Sequence, residues 1–209
     1  MDYLFNGPED AALTIALAHG AGAPMDSPFM EEVAEALAAR SWRVARFEFP
    51  YMVRRREDGK KRPPDRQPVL LDTWRAVIAD LGPQGLVIGG KSMGGRMASL
   101  VAEESGVPGL VCLGYPFHPP GKPDRLRIDH LRELATPALI VQGTRDPFGN
   151  AEEVAGYPLS PTMRLHWAED GNHDLAPRKR SGRSAEQNLA ESVSAMDGFL
   201  QELSAPASP

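Results

Sequence analysis

Apolar positions change period along the chain, and each change marks an element. Residues 12–18 form an apolar run of strand length that breaks at His19-Gly20-Ala21-Gly22-Ala23-Pro24. Over residues 27–39, Phe29, Val33 and Leu37 recur at helical spacing. Residues 42–49 alternate apolar and polar, which predicts a second strand. Residues 50–68 are polar and proline-rich and read as a loop. A helix is predicted over 69–81, ended by Gly82-Pro83. Leu86, Val87 and Ile88 predict a short buried strand, followed by a sharp turn and a helix-compatible run from Met93 to about residue 104. Strands are expected over 109–113, 138–142 and 163–167. A closing amphipathic helix over 185–202 carries Leu189, Val193, Met196, Phe199 and Leu200 on its apolar face. Strands alternating with helices predict an α/β fold with a mainly parallel, doubly wound sheet and helices on both faces. In such sheets chemistry gathers at the carboxyl ends of the strands.

With 209 residues the chain can bury one sizeable core, and we expect one domain over 1–203 with a flexible tail over 204–209. A net charge of −5 argues against nucleic-acid binding. The single cysteine excludes a disulfide framework and a cysteine zinc site. Cys112 lies in an apolar run and reads as a core thiol, as Trp42, Trp74, Trp167, Met93 and Met97 read as core side chains. Nothing resembles a signal peptide and no stretch approaches membrane-spanning length, so a cytoplasmic location without membrane attachment is expected. No metal and no cofactor are expected. The oligomeric state and a protein partner are left open.

The chemistry centres on Gly90-Lys91-Ser92-Met93-Gly94, which spells G-x-S-x-G between a predicted strand and a predicted helix. That context is the nucleophile elbow, a strained turn that lifts a serine hydroxyl clear of the sheet. A Cβ at Gly90 or Gly94 would collide with the neighbouring strand or helix. Residues 85–92 also spell G-x-x-x-x-G-K-S, the phosphate-binding pattern of nucleotidases, with Lys91 as its lysine. That pattern needs a flexible loop from Gly85 to Gly90, and Leu86, Val87 and Ile88 favour strand instead.

Acyl transfer by serine needs a base, a group to orient it, and two oxyanion donors. In this fold they follow in the order serine, acid, histidine. His19, His118 and His130 precede any plausible acid. His166 falls inside the last predicted strand, whereas His173 follows in a loop and is the preferred base. Asp146 leaves strand 138–142 at the catalytic edge and is the candidate acid. The amide of Met93 is one oxyanion donor; the second is the amide of Ala21, or failing that of Gly22. His19 is read as a brace for that loop. Tyr51, Phe117, His118 and Phe148 are candidate lining for the acyl pocket, each also readable as a structural plug.

With these residues assembled, the chain resembles the α/β-hydrolase superfamily, of the dienelactone-hydrolase-like kind. More narrowly it is similar to small hydrolase-like proteins whose relatives include a testis-expressed protein and a subunit of a chromatin-acetylating complex. The stretches that carry the resemblance are residues 18–23, 47–52, 90–96, 114–121, 142–146 and 170–174. The resemblance implies a serine-hydrolase site at Ser92, Asp146 and His173 without a metal, and it implies no substrate. Many relatives carry a cap domain over the site; no insertion here is long enough to build one, so an open, shallow pocket is expected. The leading expectation is a serine hydrolase acting on a small-molecule carboxylic ester or thioester. The alternative is an interaction module that keeps the fold and does little catalysis. Residues 54–66 carry seven positive side chains against three negative. With Arg145 and residues 178–180 they would form a positive rim at the catalytic edge if the segment faced the site. Otherwise they form a solvated loop.

Overall fold

The structure is a computed structural model that describes residues 1–205. Its elements are β1 (Leu4–Asn6), β2 (Thr14–Ala18), α1 (Pro28–Ala38), β3 (Arg43–Phe47), α2 (Pro50–Asp58), α3 (Gln67–Leu81), β4 (Leu86–Lys91), α4 (Met93–Ser105), β5 (Gly109–Leu113), β6 (Ala138–Gly143), α5 (Ala151–Val154), β7 (Met163–Ala168) and α6 (Ala185–Ser204). Short 3₁₀ turns occupy Asp129–Leu131 and Lys179–Ser181. Helix α6 runs through Ser204, the first residue of the expected tail; residues 206–209 of that tail lie outside the described residues.

The strands form one seven-stranded sheet in the order β1-β3-β2-β4-β5-β6-β7. Only β1 runs antiparallel, on the edge beside β3. The chain winds from β2 to β3 on one side, then crosses back to β4 on the other side of β2 and proceeds outward to β7. The winding direction therefore reverses between β2 and β4, and such a switch opens a crevice beyond the carboxyl ends of the two strands. Ser92 follows directly on β4, and the loop from His19 follows directly on β2.

Two apolar clusters cover the two faces of the sheet. Alternation along β2 and β4 sends Ala16, Ala18, Leu86 and Ile88 toward α3 and α4. It sends Ile15, Leu17 and Val87 toward α1 and α6. Both faces are thus dry, which is why these strands read as continuous apolar runs. The prediction of a doubly wound sheet holds, and among the described residues no separate layer covers the carboxyl edge of its strands.

The segment 50–68 is not a loop throughout. Pro50–Asp58 is helical, with Pro50 in its first turn and Gly59 ending it in the left-handed conformation at φ 69°. The helix is polar because only Tyr51 and Met52 are buried. Its apolar face is too short for the 3.6 period to register. Proline in the first turn starts a helix here, although a polar, proline-rich segment reads as a loop.

Candidate active site

The elbow forms where β4 meets α4. Ser92 stands at φ 51°, ψ −113°, a conformation that costs a non-glycine residue about 1–3 kcal/mol. The surroundings hold it there. The Ser92 amide donates to the Leu113 carbonyl at 2.9 Å. Gly90, at φ 149°, has no room for a side chain: an added Cβ would overlap the Ala18 carbonyl oxygen and lie 2.8 Å from the Ala18 nitrogen. At Gly94 it would lie 2.6 Å from both the Ala18 and the His19 carbonyl oxygens. Ends of β2, β4 and α4 therefore pack backbone against backbone. The residues that a phosphate loop would need as flexible backbone form strand β4, as their apolar run predicts, paired with β2 and β5.

Ser92, His173 and Asp146 come together from three separate loops. The Ser92 Oγ lies 2.8 Å from His173 Nε2. His173 Nδ1 lies 2.8 Å from Asp146 Oδ2. A carboxylate only accepts, so Nδ1 carries the proton and leaves Nε2 free to accept from the serine hydroxyl. Asp146 is fully buried, and a buried carboxylate must be hydrogen-bonded. Besides His173 it accepts from the Phe148 amide at Oδ1 (2.9 Å) and from Gln142 Nε2 at Oδ2 (3.0 Å). The Phe148 ring lies 4.3 Å from the His173 ring, centroid to centroid, and backs the imidazole. His166 stays in β7, opening onto Glu191 and Ser194 of α6, away from Ser92.

The loop after β2 lies against the nucleophile. A Cβ on Gly20 would be 3.8 Å from that of Ser92. The amides of Met93 and Ala21 have no acceptor among the described residues, and Met93 opens α4, whose first-turn N–H groups lack intrahelical partners. His19 braces this loop. Its Nε2 accepts from the Phe49 amide at 3.1 Å and its Nδ1 donates to the Gly20 carbonyl at 2.6 Å. Accepting at Nε2 needs the neutral ring, and burial keeps the His19 pKa below the usual histidine value.

A cavity of about 310 Å³ opens beside Ser92. Ala21, Ala23, Phe29, Met30 and Phe148 supply its apolar wall. Of the candidate lining residues, only Phe148 reaches it. Tyr51 is buried in α2, where its hydroxyl donates to the Gly20 and Ala21 carbonyls at 3.3 and 3.1 Å, so it is a prop for the loop. Phe117 is buried between Tyr115 and Tyr157. His118 is buried against Glu153 and the Pro119 carbonyl. A larger cavity, about 750 Å³, lies among Met1, Met25, Glu48, Val53 and Asp80. It is away from the serine, and the smaller one is the candidate site because the hydrogen-bonded Ser92 and His173 line it.

The positive rim is neutralised in part. Arg54 pairs with Asp65, Arg56 with Glu48 and Asp26, and Arg62 with Asp58. Arg145 and Arg178 share Asp170, whose pKa their guanidinium groups hold down at about 2. Arg55 donates to the Gly22 carbonyl at 3.2 Å. Within 54–66, Arg54, Arg56 and Arg62 are thus paired with carboxylates, while no ion pair forms at Arg55, Lys60, Lys61 or Arg66 among the described residues.

Gln142 was not singled out from sequence. It is fully buried and spans Tyr115, Asp146 and Gly149. Its only sequence signal is a polar residue ending an apolar strand. Among the described residues no group of three or more His, Cys, Asp or Glu is placed to hold a metal ion, and no helix is long and apolar enough to cross a membrane.

Residues 11–201 match the model of the family described as "Alpha/beta hydrolase domain". Solved structures share the architecture. One is a serine hydrolase without a lid from Xanthomonas campestris, 19% identical, at TM-score 0.71, covering 100% of this chain and 91% of that one. Another is Est1E from Butyrivibrio proteoclasticus with ferulic acid bound, 16% identical, at TM-score 0.70, covering 96% and 94%. A third is a dienelactone hydrolase from Anabaena variabilis, 20% identical, at TM-score 0.70, covering 96% and 90%.

Proposed function

The chain belongs to the alpha/beta hydrolase family, and from that premise we propose that it is a serine hydrolase acting on a small carboxylic ester or thioester. The observation that carries the reading is the unbroken hydrogen-bonded chain Ser92–His173–Asp146 at a strained elbow. Ser92 Oγ attacks the acyl carbonyl while His173 Nε2 takes its proton. Asp146 fixes the tautomer and stabilises the imidazolium. The amides of Met93 and Ala21 receive the oxyanion. His173 then protonates the leaving group, and water, activated by the same imidazole, releases the acid from the acyl-enzyme. The cavity beside the serine favours a short or aromatic apolar acyl group.

A fluorophosphonate probe tests this. Wild-type protein should be labelled covalently and Ser92→Ala should not; equal labelling of both sinks the assignment. A second reading, as an interaction module, would rest on the narrower resemblance to testis-expressed and chromatin-acetylating relatives that residues 18–23, 47–52, 90–96, 114–121, 142–146 and 170–174 suggest. Under it, no acyl ester would be turned over faster by wild type than by Ser92→Ala.

A further inference from the structure

We propose that Lys91 is a positioning residue whose ammonium clamps the His173 loop onto the strand that ends at Ser92, holding the imidazole over the nucleophile. The catalytic part of this rests on the serine-hydrolase reading; the clamp itself does not. Lys91 closes β4 immediately before the serine. It is only 8% exposed, and a buried ammonium is costly unless it is paired and hydrogen-bonded. Its Nζ donates to the His173 carbonyl at 2.6 Å and pairs with Asp174 Oδ1 at 3.2 Å. One cation therefore holds two consecutive residues of the loop that carries the base. No other donor among the described residues reaches the His173 carbonyl.

The path between them is kept clear. Gly114, at φ 66°, lies beside both groups. An added Cβ there would be 3.1 Å from Lys91 Nζ, 2.8 Å from the His173 carbonyl oxygen and 3.2 Å from His173 Nδ1. The ammonium and the imidazole thus both border the space that Gly114 leaves empty. Burial lowers the Lys91 pKa below the usual lysine value, with Asp174 and Asp146 opposing. Around the ring stand Asp146 and Phe148 from the loop after β6, Ser92 from the elbow, Lys91 from β4, and Asp174 from its own loop. The clamp accounts for the lysine of the G-K-S sequence without any phosphate ligand.

Two readouts on the full chain test the proposal. The first is amide hydrogen exchange, which needs no turnover. In Lys91→Met, amides of residues 171–176 should exchange at least about tenfold faster while those of β2, β4 and β5 stay unchanged; unchanged exchange in the loop overturns the clamp. The second is kinetic, on p-nitrophenyl acetate. A base displaced by about 1 Å loses about 100-fold, so Lys91→Met should lower kcat about 10–100-fold with KM within about twofold. Removing the cation also eases protonation of the ring, so the acid limb of kcat/KM should move to higher pH. Asp174→Asn, which keeps the bond to the carbonyl, should move it to lower pH. A kcat within about twofold of wild type, or limbs that do not move in opposite directions, overturns the positioning function. An inert wild type with a loosened loop in Lys91→Met would uphold the clamp and refute the hydrolase reading instead. If Lys91→Met does not fold, Lys91→Gln, a neutral donor of shorter reach, carries the same two readouts.

Discussion

On the proposed serine-hydrolase reading, replacing Asp146 by Asn separates two contributions of this carboxylate. Oδ1 accepts from the Phe148 amide, and Oδ2 accepts from His173 Nδ1 and Gln142 Nε2. An amide offers one acceptor oxygen and one donor nitrogen, so it must choose. The Phe148 amide has no other acceptor, and meeting a donor there would cost about 1–3 kcal/mol. Gln142 Nε2 has two hydrogens for three acceptors, and it keeps the Tyr115 and Gly149 carbonyls at 3.1 and 3.0 Å when Asp146 is lost. The oxygen should therefore stay on Phe148, and the new NH₂ should face the imidazole. His173 then accepts at Nδ1 and carries its proton on Nε2, where it cannot take a proton from Ser92. Losing only the strength of one bond to a charged group, about 1.5–3 kcal/mol, would slow the reaction about 10–100-fold. The wrong tautomer costs about 10⁴, equal to about 5.5 kcal/mol at 1.36 per decade. We expect kcat on a p-nitrophenyl ester to fall about 10⁴-fold with near-ultraviolet circular dichroism unchanged. A loss below about 100-fold in a folded variant would refute the tautomer argument.

Gly90→Ala should be destabilised by at least about 2 kcal/mol in urea titrations. It combines overpacking against the Ala18 backbone, about 1–3 kcal/mol, with about 1–3 kcal/mol for a side chain at φ 149°. Gly59→Ala, with no atom near the added Cβ, should lose only about 1 kcal/mol, and equal losses at the two sites would refute the packing account. His130, whose pKa burial and then Arg96 bring down to about 4, gives a pH prediction. Its folded value is below its unfolded value near 6.5, so the unfolded chain binds more protons between them. Its contribution is complete above about pH 6.5 and is lost as pH falls toward 4. The Tm of wild type should fall over that window more than that of His130→Gln; equal falls would count against it.

Strand and helix positions were legible because they are written in local windows. The apolar runs of β2, β4, β5 and β6 needed no partner to be read, and Gly90, Ser92 and Gly94 announced the turn by their spacing. Chain order and loop placement separated Asp146 and His173 from the other candidates, and the structure brings both to Ser92. Helix α2 escaped because its nine residues bury only Tyr51 and Met52 and its arginines find their acids elsewhere in the fold. Tyr51, Phe117 and His118 looked like pocket residues because they adjoin the catalytic edge in sequence. Their burial against Gly20, Tyr157 and Glu153 depends on how the loops fold back. Lys91 reaches a carbonyl 82 residues away, and Gln142 ties together β6, the turn after β5 and the acid loop. Periodicity and turn chemistry are properties of neighbours along the chain. The group that a long polar side chain meets is settled only when the winding reverses between β2 and β4 and sets distant loops side by side.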